Sequence, residues 1–444
     1  MHFFESFKGF KNTGINLLRP LTLLIGPNGS GKSNAIEAVE LLSFIARGRY
    51  LHEVVEAGRG GDTLELRGGL KACARFGENA FTLGFRAQTK FAGNARPIEY
   101  RVCVRTDDVN RIRSESLIFI DTNEMIFQTQ QAGPARTSAD NWVSYNNFDK
   151  GPNKPQVPVS ANRSVLSQYK DFATKNKKHA ECEKLVTTIS RHLRSSYFFD
   201  PRPSMMRKYE KIGDDILQRN GSNLSSVLYG LSADSQIAGL ISDANERERQ
   251  LRKAATLDRL RKWICTLPEE EFVDFEFVPT RISDVIFGLR TAAGGSLVDA
   301  SLLSDGTLRS LAFLTAVETA DEGSRIVMEE FDNGVHPSRV KTLVEAVSEC
   351  AKRRRLNLLV TTHNPATLNS LSDEQMKGVV FSVWSPIDKC YRFIELSDIP
   401  RLPELLESGR LGDLVTKKIV ERYLEPGLDE QRRASISNWL KDLS

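Results

Sequence analysis

LTLLIGPNGSGKSN, residues 21–34, decides the fold. Its first five residues form an apolar run bounded by turn formers and read as a buried strand. SNAIEAVELLSFIA, residues 33–46, repeats its apolar residues at helical spacing. Between strand and helix, Gly26 to Ser33 spell G-x-x-x-x-G-K-S, in the strand–loop–helix context that gives the pattern its meaning. Glycines let consecutive N–H groups turn toward one point, and the helix N-terminus adds the positive end of its dipole, so the loop is built for phosphate. Lys32 is expected to reach the β and γ oxygens of ATP and Ser33 to ligate Mg²⁺, with Asn28, Gly29, Ser30, Gly31 and Asn34 completing the nucleotide-binding loop.

A phosphate loop needs carboxylates opposite it. RIVMEEFD, residues 325–332, is an apolar strand that ends in two acids; Glu329 is expected on the metal side and Glu330 as the general base that orients the attacking water. A second apolar run, Leu356 to Thr362, ends in His363-Asn364-Pro365. A histidine at the carboxyl end of a strand lies where open α/β sheets bind ligands, so His363 is expected to sense the γ-phosphate. LLSDGTLR, residues 302–309, precedes the apolar helix LAFLTAVETA. Ser304 reads as its N-cap and Gly306 as a point of close backbone approach, so this start presents N–H donors to an anion. Alone it is only a capped helix; its place shortly before the acidic strand gives it meaning.

Composition excludes several classes. With 40% hydrophobic and 27% charged residues in 444, the chain reads as an ordinary soluble globular protein long enough for two or three compact lobes. It shows neither a leader nor an 18-residue apolar run, and is expected to be cytoplasmic with no membrane contact. The six cysteines are scattered without zinc spacing and read as reduced structural thiols. A formal charge of +4 is too small a bias to mark a nucleic-acid binder.

Five segments follow in order: 1–62, the first part of the nucleotide core; 63–162, a β-rich subdomain ending in a Gly-, Pro-, Asn- and Ser-rich irregular insertion from Thr129 to Asn162; 163–270, a helical insertion; 271–396, the rest of the core; and 397–444, a helical tail. DVIFGLR, RIVMEEF, LNLLVTTH and GVVFSVW mark the returning strands.

Together GPNGSGKSN, LSDGTLR, VMEEFDNGVHP and TTHNP resemble the Walker A, signature, Walker B and His-switch motifs of the RecF-like and SMC-like branch of ABC ATPases. The chain is similar in particular to the compact ATPases of overcoming-lysogenization-defect (OLD) proteins and of bacterial anti-phage operons such as Septu, PARIS and some retrons. FFDPRPSMMRKYEK and GSNLSSVLYGL, within Phe198 to Leu231, and ESGRLGDLV near the C-terminus share in that likeness. The resemblance implies an α/β P-loop ABC-type head with an appended β-rich subdomain and a helical insertion. It also implies a homodimer or higher homo-oligomer with composite sites. Each takes Lys32, Ser33, Glu329, Glu330 and His363 from one chain and the signature residues Ser304, Asp305, Gly306 and Thr307 from its partner.

Two residues depart from the pattern: Asp305 stands where transporters carry a second glycine, and Glu329 replaces the commoner aspartate, which implies slow turnover. For the glutamine that joins the two lobes in this family, Gln88 is the candidate. An OLD protein continues into a nuclease domain, whereas only about 80 residues follow His363 here. The expected role is therefore a sensor or scaffold that gates a separate effector, a nuclease, in anti-phage defence. Two alternatives stay open: a DNA-repair ATPase that clamps DNA (or RNA) with its basic clusters, and an ATP-locked scaffold with little turnover. The clusters are Lys175/Lys177/Lys178, Arg247/Arg249/Arg252/Lys253/Arg259/Arg261/Lys262 and Lys352/Arg353/Arg354/Arg355.

Overall fold

The computed structural model describes residues 1–56, 64–107, 110–130, 140–149, 151, 153–173, 176–232, 243–267, 271–292, 295–399 and 401–424. The chain divides into two compact units assembled from interleaved segments: Met1–Leu18, Gly26–Ser196 and Ser382–Phe393 form one, and Arg19–Ile25, Tyr197–Phe381 and Ile394–Ser444 the other.

The strands of the first unit are β1 (His2–Phe7), β2 (Phe10–Ile15), the short parallel pair β4 (Val54–Glu56) and β5 (Leu64–Leu66), then β6 (Ala80–Phe91), β7 (Asn94–Arg105), β8 (Arg111–Phe119), β9 (Glu124–Thr129), β10 (Asp140–Tyr145), β11 (Gln156–Ser160) and β20 (Cys390–Glu395). All but the short pair lie in one sheet, in the order β11-β10-β9-β8-β7-β6-β1-β2-β20. From β6 to β11 neighbours in sequence pair antiparallel, as chains joined by short turns do. Alternation sets the faces: Phe81, Leu83 and Phe85 on β6, and Ile98, Tyr100, Val102 and Val104 on β7, are all buried. The helices His179–Arg194 and Lys32–Ala46 pack on one another. The first of them turns Cys182, Leu185, Val186, Ile189 and Leu193 inward at intervals of three and four.

The irregular insertion expected from Thr129 to Asn162 is corrected in part. Residues 131–139, 150 and 152 lie outside the described residues, but β10 and β11 extend the sheet, with Val143 opposite Thr129 and Trp142 opposite Pro158. The turn-rich composition belongs to the connections, and the short alternating run NWVSY supplies the strand.

A buried carboxylate fastens this sheet to its helices. Glu115 on β8 accepts hydrogen bonds from the backbone N–H groups of Val165 and Leu166 (both 2.8 Å), from Ser164 Oγ (2.7 Å) and from the Tyr100 hydroxyl (2.9 Å). It serves as the N-cap that Ser164 does not provide to the helix Val165–Phe172. Burial pushes the Glu115 carboxyl up, and the two backbone N–H groups and two hydroxyls pull against that.

The second unit contains β3 (Leu21–Ile25), β12 (Ser196–Phe199), β13 (Glu210–Lys211), β14 (Phe272–Pro279), β15 (Asp284–Thr291), β16 (Leu297–Asp299), β17 (Arg325–Met328), β18 (Asn357–Thr361) and β19 (Val379–Ser385). Its main sheet runs β19-β3-β18-β17-β12, with β19, β3, β18 and β17 parallel. Every residue of β3 and β17 is buried, and apart from Thr22 and Arg325 all are apolar, the pattern of a sheet covered on both faces. DVIFGLR does not join these strands: as β15 it forms a separate antiparallel sheet with β13, β14 and β16, packed on the helix Leu224–Leu231. The helices Ala244–Cys265, Asp305–Thr319 and Pro337–Arg354 meet at buried Glu318, which pairs with Arg259 (3.0 Å) and Arg353 (2.5 Å). No described helix is long and apolar enough to cross a membrane.

Replacing Glu115 with alanine strands four donors in the interior and should lower the unfolding free energy by about 3 kcal/mol or more, measured by urea denaturation. A loss below about 1 kcal/mol would show that water or neighbours replace the cap.

Candidate functional site

In the first unit the phosphate loop occupies Gly26–Gly31 and opens the helix Lys32–Ala46. Gly31 caps that helix in the left-handed region (φ 96°), and a Cβ there would come within 2.9 Å of the Tyr391 ring, so glycine is required for backbone and for packing. The N-cap makes no side-chain hydrogen bond and the first turn holds no acidic residue, so this N-terminus keeps the positive end of the helix dipole. The loop is braced from below: Ser382 Oγ donates to the Ser30 carbonyl at 2.6 Å, and Ser30 N to the Pro27 carbonyl at 3.1 Å. Lys32, only 8% exposed, curls back so that Nζ donates to the carbonyls of Gly26 (2.6 Å) and Pro27 (3.0 Å). An ammonium turned onto the rim of its own loop, beside an uncapped helix start, is a donor set that fits a polyphosphate. Asn28 and Gly29 are exposed, Ser33 and Asn34 half-buried.

In the second unit β3, β18 and β17 run parallel in register, Leu24 beside Thr361 and Val360 beside Met328, so their carboxyl ends share one edge. Gly26 follows Ile25 of β3 directly in the chain. At that edge Glu329 and Glu330 leave β17, both exposed. Glu330 lies in the left-handed region (φ 48°), a conformation that costs a non-glycine residue about 1 kcal/mol or more. Its N–H donates to Thr361 Oγ1 at 2.9 Å, its carbonyl accepts from Asn333 N at 2.9 Å, and Asn333 Nδ2 reaches Oε2 at 3.2 Å. His363 Nε2 stands 3.9 Å from Glu330 Oε1, with the imidazole 36% and the carboxylate 50% exposed. The two expected catalytic groups thus lie side by side and open to solvent.

Side chains to which the sequence reading gave no role hold this edge. Asp332, buried, accepts from Thr362 Oγ1 at 2.6 Å and from Thr367 Oγ1, tying the turn after the acids to the loop that bears His363. Its carboxyl is held above the usual range by burial, with the two hydroxyls pulling down and the charge of Glu330 adding a push upward. Asn369 accepts from Gly412 N at 2.7 Å and donates to Asp413 at 3.0 Å. In this way GRLGDLV docks on the short helix behind His363.

The helix Asp305–Thr319 carries the expected cap: Ser304 Oγ accepts from Thr307 N at 3.1 Å and shares a 2.7 Å hydrogen bond with Thr307 Oγ1, which also receives Arg339 Nη1 at 3.2 Å. Ser304 and Asp305 are exposed, whereas Gly306 and Thr307 are buried. The close approach at Gly306 is to the chain's own backbone, since a Cβ there would lie 2.2 Å from the Gly334 carbonyl oxygen. Arg207, from the DPRPSMMRKYEK segment, donates to Asp305 Oδ1 at 2.6 Å and to the Leu303 carbonyl at 2.9 Å. Gln88 sits exposed on β6 opposite Pro97, beyond the stretch that pairs with β1. Among the described residues no three His, Cys, Asp or Glu side chains cluster to hold a metal ion.

A strand–loop–helix phosphate cradle, a parallel β-sheet with acids at its carboxyl edge and a capped signature helix define a P-loop ATPase head of the ABC type. A family model described as "AAA domain, putative AbiEii toxin, Type IV TA system" matches residues 131–369, more than half of the chain, and a second, described as "AAA domain", matches residues 4–189. The chain belongs to the first of these AAA families. No curated protein matches it. Similar solved structures include an Smc head bound to the C-terminal winged-helix domain of ScpA (13% identity, 88% of this chain and 96% of that one, TM-score 0.48). Others are the SMC head domain from Thermotoga maritima (12%, 89% and 97%, 0.38) and an Smc head with an extended coiled coil bound to the C-terminal domain of ScpA, from Pyrococcus furiosus (12%, 91% and 98%, 0.45). At such identities and scores the likeness carries no functional argument.

Asp332 makes a pH test possible. Because its folded-state pKa lies above the unfolded one, the native protein holds an extra proton between the two values, and stability falls as pH rises through that window. Asp332→Asn keeps an acceptor oxygen and removes the titration. Urea denaturation should show the variant gaining on the wild type as pH is raised from about 4 to about 8. A difference that stays constant over that range contradicts the assignment.

Proposed function

We propose that this chain binds ATP with Mg²⁺ on its phosphate loop and hydrolyses it slowly at composite sites formed when two copies meet head to tail, and that nucleotide state gates a separate effector nuclease in anti-phage defence. The observation that carries the ATPase reading is the Glu330–His363 pair at the carboxyl edge of the parallel strands, held open to solvent by a strained backbone and 3.9 Å apart. A carboxylate fixed there is suited to orient a water, and the imidazole to follow the γ-phosphate.

The remaining roles follow from the chemistry of each group. Lys32 gives up its carbonyl partners for the β and γ oxygens, while the N–H groups of Asn28 to Asn34 line the phosphates. Ser33 and Glu329 are the residues to hold Mg²⁺, which supplies charge neutralisation on the phosphates. Glutamate in place of aspartate lengthens the reach to the metal, which supports slow turnover. Ser304, Asp305, Gly306 and Thr307 of a second copy close the site. The gating of an effector rests on the family resemblance, and the words AbiEii toxin and Type IV TA system in the family description support a defence setting. The DNA-clamp reading gains little. Arg249 and Lys253 pair with Asp215, Arg252 with Glu248, Arg259 and Arg353 with Glu318, Arg261 with Asp258, Lys352 with Glu374 and Lys177 with Asp149, while Lys175 lies outside the described residues.

Lys32→Ala should weaken ATP binding at least about a hundredfold in calorimetry. Glu330→Gln should bind as the wild type does and accumulate as a nucleotide-bound dimer with hydrolysis down about a hundredfold or more, and turnover at the wild-type rate would remove Glu330 from the role of base. In the same assay, wild-type binding without turnover would select the ATP-locked scaffold instead.

Ser304→Arg should leave binding to the isolated chain intact and block ATP-dependent dimerisation in light scattering. Equal dimerisation of variant and wild type refutes the composite site.

A further inference from the structure

The signature departs from two glycines by carrying Asp305, and that departure has a partner. Asp305 is the first residue of the helix Asp305–Thr319, where a carboxylate suits the helix dipole. The same charge opposes any phosphate brought to that helix start. Arg207 meets it: one guanidinium nitrogen donates to Asp305 Oδ1 at 2.6 Å and to the carbonyl of Leu303 at 2.9 Å, spanning both sides of the Ser304 cap. Arg207 is mostly covered (28% exposed) and Asp305 mostly open (64%).

Arg207 is aimed by a fixed turn. The chain before it is pinned by Asp200 N to the Arg219 carbonyl (2.8 Å) and by Arg202 N to the Asn220 carbonyl (2.9 Å), and fully buried Met206 packs against Gly221. A guanidinium launched from such an anchor gives up little freedom when it pairs.

We propose that Arg207 is a positioning residue of the signature: it neutralises Asp305 and holds the carboxylate and the Leu303 carbonyl to itself, so that the helix presents Ser304 and its N–H groups, rather than a negative charge, to the nucleotide of a second copy. This deepens the composite-site reading and rests on it. It also gives a purpose to the DPRPSMMRKYEK segment, whose conspicuous turn residues deliver one side chain to the signature.

The test measures dimerisation of the full chain by light scattering with Mg²⁺ and adenylyl imidodiphosphate, alongside the affinity of each variant for that analogue under dilute, monomeric conditions. Arg207→Ala should weaken the dimer about tenfold or more. Nucleotide affinity of the isolated chain should stay within about twofold. The readout that a merely structural role would not move is rescue: Arg207→Ala combined with Asp305→Gly should return to within about threefold of the wild type, and Arg207→Lys should fall between. Where Arg207→Ala fails to fold, Arg207→Gln, which keeps an N–H donor and loses the charge, should weaken the dimer about tenfold and be restored by the same Asp305→Gly change. A double variant as weak as Arg207→Ala, or an Arg207→Ala dimer as tight as the wild type's while Ser304→Arg still blocks it, overturns the role of Arg207 and leaves the composite site standing. A wild-type chain that stays monomeric with the analogue overturns both.

Discussion

Glu330 occupies a backbone conformation that its own side chain disfavours, and the organisation of the carboxyl edge follows from the need to keep it there. Parallel strands supply the edge but not the direction in which the chain leaves it. The hydroxyl of Thr361 on the neighbouring strand catches the Glu330 N–H, and Asn333 closes the turn from the other side. Buried Asp332 then gathers Thr362 and Thr367, so the histidine loop is fastened to the same turn. A regular strand end would let both acids follow the sheet pleat, one up and one down. Strain combined with hydroxyl anchors turns the second acid toward the imidazole instead.

The phosphate loop solves a different problem by different means. Its helix start is left without a capping side chain and without acids, whereas the signature helix start is capped by Ser304 and carries Asp305. Two helix N-termini of one chain therefore differ in charge by design of their first turns. The loop that is to hold phosphate directly brings its own lysine. The helix start that the proposed composite site offers to a second copy has its cation from a remote segment, through Arg207.

How much of this was legible depended on whether a function rests on local pattern. The phosphate loop, the acids after β17, His363 and the Ser304 cap each follow from a run of residues whose periodicity and end are visible in one dimension, and the structure sets Ser304 as the cap and Glu330 beside His363. Asp332 was not legible as an anchor, because its partners lie about thirty residues on and a threonine pair carries no spacing signal. Arg207 was hidden in the same way: nothing in RKYEK distinguishes an arginine that crosses to the signature from one that is solvated. The strand β10 was masked by the turn formers around it, and β15, read with the returning strands, proved to belong to a separate sheet, since a short apolar run does not state which neighbour it pairs with.

The contact between Gly306 and the carbonyl of Gly334 has a mechanical consequence. With no side chain at either position and oxygen lying where a Cβ would be, the signature helix and the turn behind the acids have no soft material between them to absorb displacement. Arg339, reaching Thr307 from the helix that follows that turn, adds a second strut beside the first. A displacement of that turn therefore meets the helix Asp305–Thr319 through direct backbone contact rather than through intervening side chains.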